Sequence, residues 1–154
     1  MPTARIARPI PAPIEQVWEI VADPHHLPRW WPRVARVEGV QEDGGFTEVL
    51  TTPKGRTLRV DFSLLENQAP APGAEAVRRW SQELDEGPFQ RMLKRSETTV
   101  RLRPDGQETQ VTLELVQETK GFFNRFGGGQ LKRASRGVLG EALDGLEHLF
   151  TADG

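Results

Sequence analysis

The most constraining feature of this chain is a long run of alternating apolar and polar residues, broken at short intervals by turn residues. Six segments between Arg33 and Thr119 show this period of two, which is typical of β-strands with one buried face. The predicted strands are 34–40, 46–52, 57–66, 75–84, 89–103 and 108–118. Because the intervening turns are too short for a crossover helix, the segments are predicted to form an antiparallel meander.

The segments on either side of this run complete the predicted fold. Residues 3–10 alternate as a first strand, and residues 11–24 show helical spacing that ends at Asp23-Pro24. One further short helical turn is predicted over residues 24–30, where Pro28 and Pro32 limit its length. From about Gln130 onwards, apolar residues recur every three or four positions, which predicts a long amphipathic helix at the C-terminus.

An antiparallel sheet with one apolar face must be covered, and the C-terminal helix is the obvious cover. We therefore predict a single α+β domain over residues 1–154 with a helix-grip architecture. A curved seven-stranded antiparallel sheet would surround the long C-terminal helix, with two short helices between strands 1 and 2. Such a grip tends to leave a cavity between the sheet and the helix.

Composition excludes several classes of protein. The 154 residues are 36% hydrophobic and 27% charged, as in a soluble globular domain. Twenty basic and 22 acidic residues leave a formal charge of −2, which does not favour nucleic acid as a partner. The N-terminus lacks the apolar region of a secretory signal, and no stretch approaches the roughly 20 apolar residues of a membrane span. We expect a cytoplasmic protein with no integral membrane segment.

Few residues are suited to metal binding or to nucleophilic catalysis. The chain has no cysteine and three histidines, and the adjacent His25 and His26 have no histidine three or four positions away. No serine lies in a nucleophile-elbow motif. The triglycine at 127–129 is not followed by the Lys-Ser/Thr of a phosphate-binding loop. We therefore predict no metal and no cofactor, and we assign no catalytic residue.

One N-terminal stretch resembles a known signature. The segment "IPAPIEQVWEIVADPHHLPRWWPRV" is similar to the start of the START-like (SRPBCC) superfamily, in its polyketide cyclase/dehydrase branch. The matching pairs are Ala12-Pro13, Val17-Trp18, Asp23-Pro24 and Trp31-Pro32. The order of elements and the C-terminal helix also match, so the resemblance covers nearly the whole chain.

The resemblance implies a hydrophobic cavity, and hence binding or transport of a small hydrophobic ligand such as a lipid, isoprenoid, quinone or polyketide. Two alternatives stay open. One is an enzyme of the cyclase/aromatase type, acting on a polyketide-like substrate through Arg78, Lys94 or an inward carboxylate. The other is a module that binds a protein. The fold alone does not choose among these functions, and the sequence indicates no oligomeric state.

Inward positions of the strands and of the last helix supply the candidate ligand-binding residues. They are Phe62, Leu64, Arg78, Trp80, Met92, Lys94, Ser96, Leu113, Phe126, Leu131, Ser135 and Val138. Within this set, Arg78 and Lys94 are predicted to form a polar end of the pocket, together with Ser96 and Gln82. The alternatives are a β-bulge that displaces one of them, or cationic ends that extend into solvent.

The aromatic residues near the two ends of the chain have separate expected roles. Trp30 and Trp31 are adjacent and cannot both face one way. We expect one to pack as core beneath the short helices and the other to lie near the cavity mouth or the surface. Phe122, Phe123 and Phe126 are expected to close one mouth of the grip, since apolar residues beside a glycine-rich loop need a burial partner.

Overall fold

Short turns and two small helices connect the strands of the fold in a simple order. The computed structural model describes residues 3–72, 74–85, 87, 89–120 and 128–151. The strands are β1 Thr3–Ile10, β2 Val34–Glu38, β3 Phe46–Thr51, β4 Thr57–Gln68, β5 Ala76–Gln82, β6 Leu93–Asp105 and β7 Glu108–Thr119. The helices are α1 Ile14–Ala22, α2 Leu27–Trp30 and α3 Gly128–Thr151, and a single 3₁₀ turn at Pro24–His26 joins α1 to α2.

The strands form one antiparallel sheet in the order β1-β7-β6-β5-β4-β3-β2. Strands β2 to β7 pair with their sequence neighbours because the turns between them are short. Strand β1 pairs instead with the last strand, and Ile6 faces Leu113 in that register. The helices α1 and α2 carry the chain from β1 at one edge to β2 at the other. The predicted α+β architecture, a seven-stranded antiparallel sheet with a long C-terminal helix, is confirmed.

Helix α3 covers the apolar face of the sheet with a stripe of buried residues at helical spacing. The stripe consists of Ser135, Leu139, Ala142, Leu143 and Leu146. The sheet contributes fully buried residues to the same core, and α1 also packs on this face, against β5, β6 and β7. These sheet residues include Ile10, Val100, Leu102, Val111 and Leu113. Since burying one leucine side chain contributes roughly 1.5–3 kcal/mol, this contact layer provides much of the stability of the domain.

The helical connection between β1 and β2 is held by two specific hydrogen bonds. The buried hydroxyl of Thr109, on β7, donates to the carbonyl oxygen of Ala12 at 2.7 Å. The carboxylate of Asp23 accepts from the backbone N–H of His25 at 3.0 Å and so caps the 3₁₀ turn. These bonds satisfy backbone groups at the two ends of α1 and fix its position relative to the sheet.

The two adjacent tryptophans point in different directions, as their adjacency requires. Trp30 is buried in the core, whereas Trp31 is only partly buried. Their rings meet edge to face with centroids 5.3 Å apart, and Trp31 makes a second such contact with Trp80 at 6.1 Å. A chain of three indole rings therefore leads from the α2–α3 contact to the inner face of β5.

Gly145 allows α3 to approach α2 closely. A Cβ atom at this position would lie 2.9 Å from the Cα of Trp30 and nearer still to its carbonyl oxygen. Those atoms belong to the backbone and cannot turn away as a flexible side chain could. In contrast, a Cβ atom at Gly137 on the same helix would meet nothing within 4 Å. The α2–α3 contact thus depends on the absence of a side chain at residue 145.

These two glycines give a matched test of the α2–α3 contact. Gly145→Ala is expected to lower the free energy of unfolding by roughly 1–3 kcal/mol because the helices must separate. Gly137→Ala is expected to raise it by about 0.5–1 kcal/mol, because alanine is the better helix former and the space is open. Urea denaturation of both variants measures these changes. Equal stabilisation by the two substitutions would show that the close approach is absent.

Candidate ligand-binding cavity

A cavity of about 300 Å³ lies between the sheet and the N-terminal half of α3. Most of its wall is apolar and comes from three directions: the α2–β2 connection, the strands and the helix. The main apolar residues are Trp31, Leu50, Val60, Phe62, Trp80 and Leu115, with Leu131 and Val138 from α3. Polar side chains are fewer: Arg33, Glu48, Gln82, Ser96, Thr98, Gln117 and Ser135.

Local periodicity explains why these side chains converge. On β5, Trp80 and Gln82 are two residues apart and face inward together. On α3, Leu131, Ser135 and Val138 stand four and three residues apart and therefore lie on one face of the helix. The ring of Phe62, which lines the cavity from β4, stacks on that of Phe46 on β3, with centroids 5.3 Å apart.

The structure brings six of the predicted ligand-binding residues together at this cavity. They are Phe62, Trp80, Ser96, Leu131, Ser135 and Val138. Gln82, which was expected beside them as a polar group, also lines it. Their role in binding a ligand stays a prediction. Phe126 and its neighbours Phe122 and Phe123 lie outside the described residues.

The predicted inward position of Lys94 is wrong because β6 contains a bulge. Residues Leu93 and Arg95 pair with the consecutive residues Thr119 and Glu118 of β7, so one extra residue interrupts the alternation. Leu93 is buried in place of Lys94. The Lys94 side chain is exposed, and its Nζ lies 3.8 Å from the carboxylate of Glu118.

Arg78 faces inward as predicted but does not reach the cavity. It is buried and donates from Nη1 to Oδ1 of Asn67 at 2.9 Å. It borders a separate small space beside α1, with Val21, Pro24, Leu27 and Phe46. Burial lowers the pKa of Arg78, and the charge of Asp23 opposes that shift. The predicted polar end formed by Arg78 and Lys94 is therefore not present.

Three further predicted residues lie away from the cavity. Met92 is exposed because residues 89–92 form a turn, and β6 begins only at Leu93. Leu113 is fully buried in the core between β1 and β6. Leu64 packs against Gly44, whose positive φ of 91° places the β2–β3 turn over this side chain.

Glu48 is one of several cavity residues that the sequence analysis missed, and it is the one with an ionisable buried side chain. It lies on β3 between the inward residues Phe46 and Leu50, and only 5% of its surface is exposed. Burial raises the pKa of this carboxyl to about 8. No ion pair or hydrogen bond joins its side chain to another residue in the described part of the chain. The alternation of Phe46, Glu48 and Leu50 was a sufficient signal for its inward orientation.

The remaining polar groups of the cavity differ in how well they are paired. Ser135 Oγ donates to Oε1 of Gln117 at 3.4 Å, and Gln117 Nε2 donates to Oγ of Ser96 at 3.2 Å. This short network links α3 to β7 and β6. In contrast, Nε2 of Gln82 is buried and has no partner among the described residues. Trp30 Nε1, in the core, is a second buried donor without a partner among these residues, but Gln82 belongs to the cavity lining, where a ligand or water could accept from it.

The described residues support neither a metal site nor a membrane-spanning helix. No group of three or more histidine, aspartate or glutamate side chains within them could hold a metal ion. The described helices also include none with the length and apolar character needed to cross a membrane.

The fold and the cavity together define a START-like helix-grip domain. The chain matches the model of the family described as "Polyketide cyclase / dehydrase and lipid transport" over residues 1–151, and it belongs to that family. This agrees with the resemblance found in the N-terminal signature. A search of curated proteins gives no significant match.

Solved structures support the same assignment of the fold. A START superfamily protein from Mycobacterium smegmatis aligns with a TM-score of 0.72 and 17% identity over 97% of each chain. XoxI from Bacillus cereus aligns with a TM-score of 0.73 and 17% identity over 99% of this chain and 97% of its own. The di-domain ARO/CYC protein BexL aligns with a TM-score of 0.76 and 19% identity over 96% of this chain and 46% of its own. At these identities the likeness establishes the fold alone.

Glu48 is expected to make stability fall with rising pH. Its pKa is about 8 in the folded protein and has the ordinary value of 4.5 when the residue is exposed. Between these values the folded state holds a proton that the unfolded state has released, so the free energy of unfolding decreases as pH rises. The loss is absent below about pH 4 and reaches roughly 5 kcal/mol above pH 8.

Glu48→Gln removes this titration. The variant is expected to exceed the parent in free energy of unfolding by roughly 3 kcal/mol at pH 7, with the difference vanishing near pH 4. Urea denaturation between about pH 4 and pH 9 measures it. Glu108→Gln, which changes an exposed residue at the start of β7, is the control and should follow the parent. Parallel pH curves for the parent and Glu48→Gln would contradict the burial of an ionisable carboxyl.

Proposed function

We propose that this domain binds and carries a small hydrophobic or amphipathic molecule in the cavity between the sheet and α3. The observation that carries the proposal is the cavity itself. A concave space of about 300 Å³ with mostly apolar walls is typical of small-molecule sites, because a ligand that covers such walls removes apolar surface from water. The family description, which includes lipid transport, supports the same function.

The volume limits the size of the ligand. A space of about 300 Å³ is roughly twice the ~150 Å³ cavity that accommodates benzene, and it lies at the lower end of the ~300–1,000 Å³ range of ligand pockets. The part of the ligand that lies within the cavity is therefore expected to be about two rings, or a short chain of similar volume. Apolar burial would supply most of the affinity, and the few polar groups would orient the ligand.

One observation favours a second function, catalysis of the cyclase or dehydratase type. Glu48 is a buried carboxyl whose pKa of about 8 suits general acid–base chemistry near neutral pH. BexL, a fold relative, is described as an ARO/CYC protein. However, the described lining of the cavity contains no second carboxylate, histidine or lysine that would complete an acid–base pair with Glu48. Binding without turnover is therefore the better supported function.

The third alternative, a protein-binding module, has less support. Among the described residues, the exposed large apolar side chains are Val40, Leu65 and Met92. They belong to a loop, a strand and a turn, respectively. Scattered single residues of this kind are normal on protein surfaces.

Native mass spectrometry of the purified protein, followed by solvent extraction, tests the carrier function directly. The expected result is a bound molecule of a few hundred daltons or less that is released on unfolding. The free protein should also bind the bicyclic hydrocarbon tetralin, as measured by isothermal titration calorimetry. Absence of both a co-purified molecule and tetralin binding would overturn the proposed function.

Filling the cavity should abolish binding. Val138→Phe places a larger side chain on the cavity-facing side of α3 and is expected to weaken tetralin binding at least tenfold. Leu65→Phe makes the same kind of enlargement at an exposed strand position and should leave binding within twofold of the parent. Circular dichroism of both variants checks that the fold is retained. Equal affinities in the two variants would place the binding site elsewhere.

A further inference from the structure

Glu48 and Gln82 line the cavity from β3 and β5, on either side of β4, and neither makes a side-chain hydrogen bond through its carboxyl or Nε2 group to a described residue. Gln82 Nε2 is buried and unpaired within the described chain. Glu48, on β3, is buried and makes no side-chain hydrogen bond or ion pair to a described residue. The strand register connects them, since Phe46 pairs with Phe62 and Phe62 pairs with Gln82. Glu48 is therefore one inward position along β3 from this row.

The surroundings of Glu48 keep it neutral. Its neighbours across the two adjacent strands are Val37 on β2 and Val60 on β4, and neither carries a charge. Helix α3 lines the cavity with four residues that are also uncharged: Leu131, Ala134, Ser135 and Val138. Arg33, from the α2–β2 connection, is the other ionisable residue of the described lining, and its side chain is exposed.

A neutral carboxyl group is a hydrogen-bond donor through its O–H. At pH 7 the Glu48 carboxyl is mostly protonated, because burial raises its pKa to about 8. Gln82 Nε2 is also a donor, since an amide nitrogen donates two hydrogen bonds and accepts none. Ser96 and Gln117 are already engaged with each other and with Ser135, and the hydroxyl of Thr98, which also lines the cavity, can either donate or accept. The two unpaired donors therefore call for an acceptor on the ligand.

This donor pair discriminates among ligand charges. An amine would satisfy an ionised Glu48 but would leave Gln82 Nε2 opposite another donor. A carboxylate would accept both hydrogen bonds, but its charge would be buried against apolar walls without a buried cation to pair with it. A neutral carbonyl oxygen accepts hydrogen bonds and carries no net charge to desolvate.

We propose that the cavity selects neutral ligands bearing a carbonyl oxygen, with Glu48 and Gln82 as the hydrogen-bond donors that recognise it. This inference rests on the proposed binding function and specifies its ligand class. An apolar ring or short chain would fill the cavity, and its ketone, ester or amide oxygen would face the β3–β5 part of the wall.

Tetralin and α-tetralone test this inference because they differ only by a carbonyl in place of a methylene. The expected result at pH 7 is about tenfold tighter binding of the ketone by isothermal titration calorimetry, as one or two gained hydrogen bonds would supply. Aminotetralin and the corresponding tetralin carboxylate, which carry opposite charges, should bind more weakly than the ketone. Equal affinity for tetralin and α-tetralone would overturn the carbonyl preference while leaving the proposed function intact. Binding of neither compound would overturn both.

Variants identify the donors. Glu48→Leu and Gln82→Leu should each reduce the ratio of ketone to hydrocarbon affinity at least threefold, because each removes one donor. Glu48→Gln keeps a donor and should retain the preference, and Glu108→Gln is the exposed control. An unchanged ratio in both leucine variants, or tightest binding of aminotetralin, would overturn the assignment.

A pH series gives an independent readout that simple packing would not affect. Above about pH 8 the parent is expected to lose its preference for α-tetralone over tetralin, since Glu48 must be protonated to donate, and the loss should level off near that seen in Glu48→Leu. The affinity of Glu48→Gln for α-tetralone should stay constant over the same range. The ratio of the tetralin affinities of the parent and of Glu48→Gln should stay constant as well. A ketone affinity in the parent that does not change up to pH 10 would overturn the role of Glu48.

Discussion

The apolar inner face of a single antiparallel sheet is the constraint on which the rest of this structure depends. Such a face must be covered, and α3 covers it together with α1. The position of α3 is set where Gly145 meets the backbone of Trp30, and the indole rings of Trp30, Trp31 and Trp80 continue from that contact to the cavity wall. The residues that position the helix thus also shape one end of the cavity.

The two halves of α3 differ in what they contact. Its later part, with Leu139, Leu143 and Leu146, is fully buried and packs as ordinary core. Its earlier part presents Leu131, Ser135 and Val138 to the cavity. A helix that is held firmly at one half can leave a space under the other without losing its place on the sheet. The stability of the domain and its capacity for a ligand are therefore separated along one element.

The polar groups in the cavity reduce stability, and this is informative about function. Burial of Glu48 and of the unpaired Gln82 amide has a free-energy cost that an apolar side chain would avoid. Natural proteins keep such residues mainly where function requires them. The network of Ser96, Gln117 and Ser135 is different because its members satisfy one another.

Strand, turn and helix positions follow from local chemistry, and they could be predicted from residue periodicity and turn residues. The pairing of β1 with β7 at one edge was not predicted, because no local pattern determines which distant strand β1 joins. The cavity residues were predictable where the alternation is regular, as at Trp80. The cavity residues were not predictable where a bulge reverses the alternation, because there Leu93 is buried and Lys94 is exposed. The sequence does not show which inward polar groups have hydrogen-bond partners. Arg78 has a partner in Asn67, whereas Gln82 Nε2 has none among the described residues. These partners depend on distances that arise only after the strands and the helix pack together.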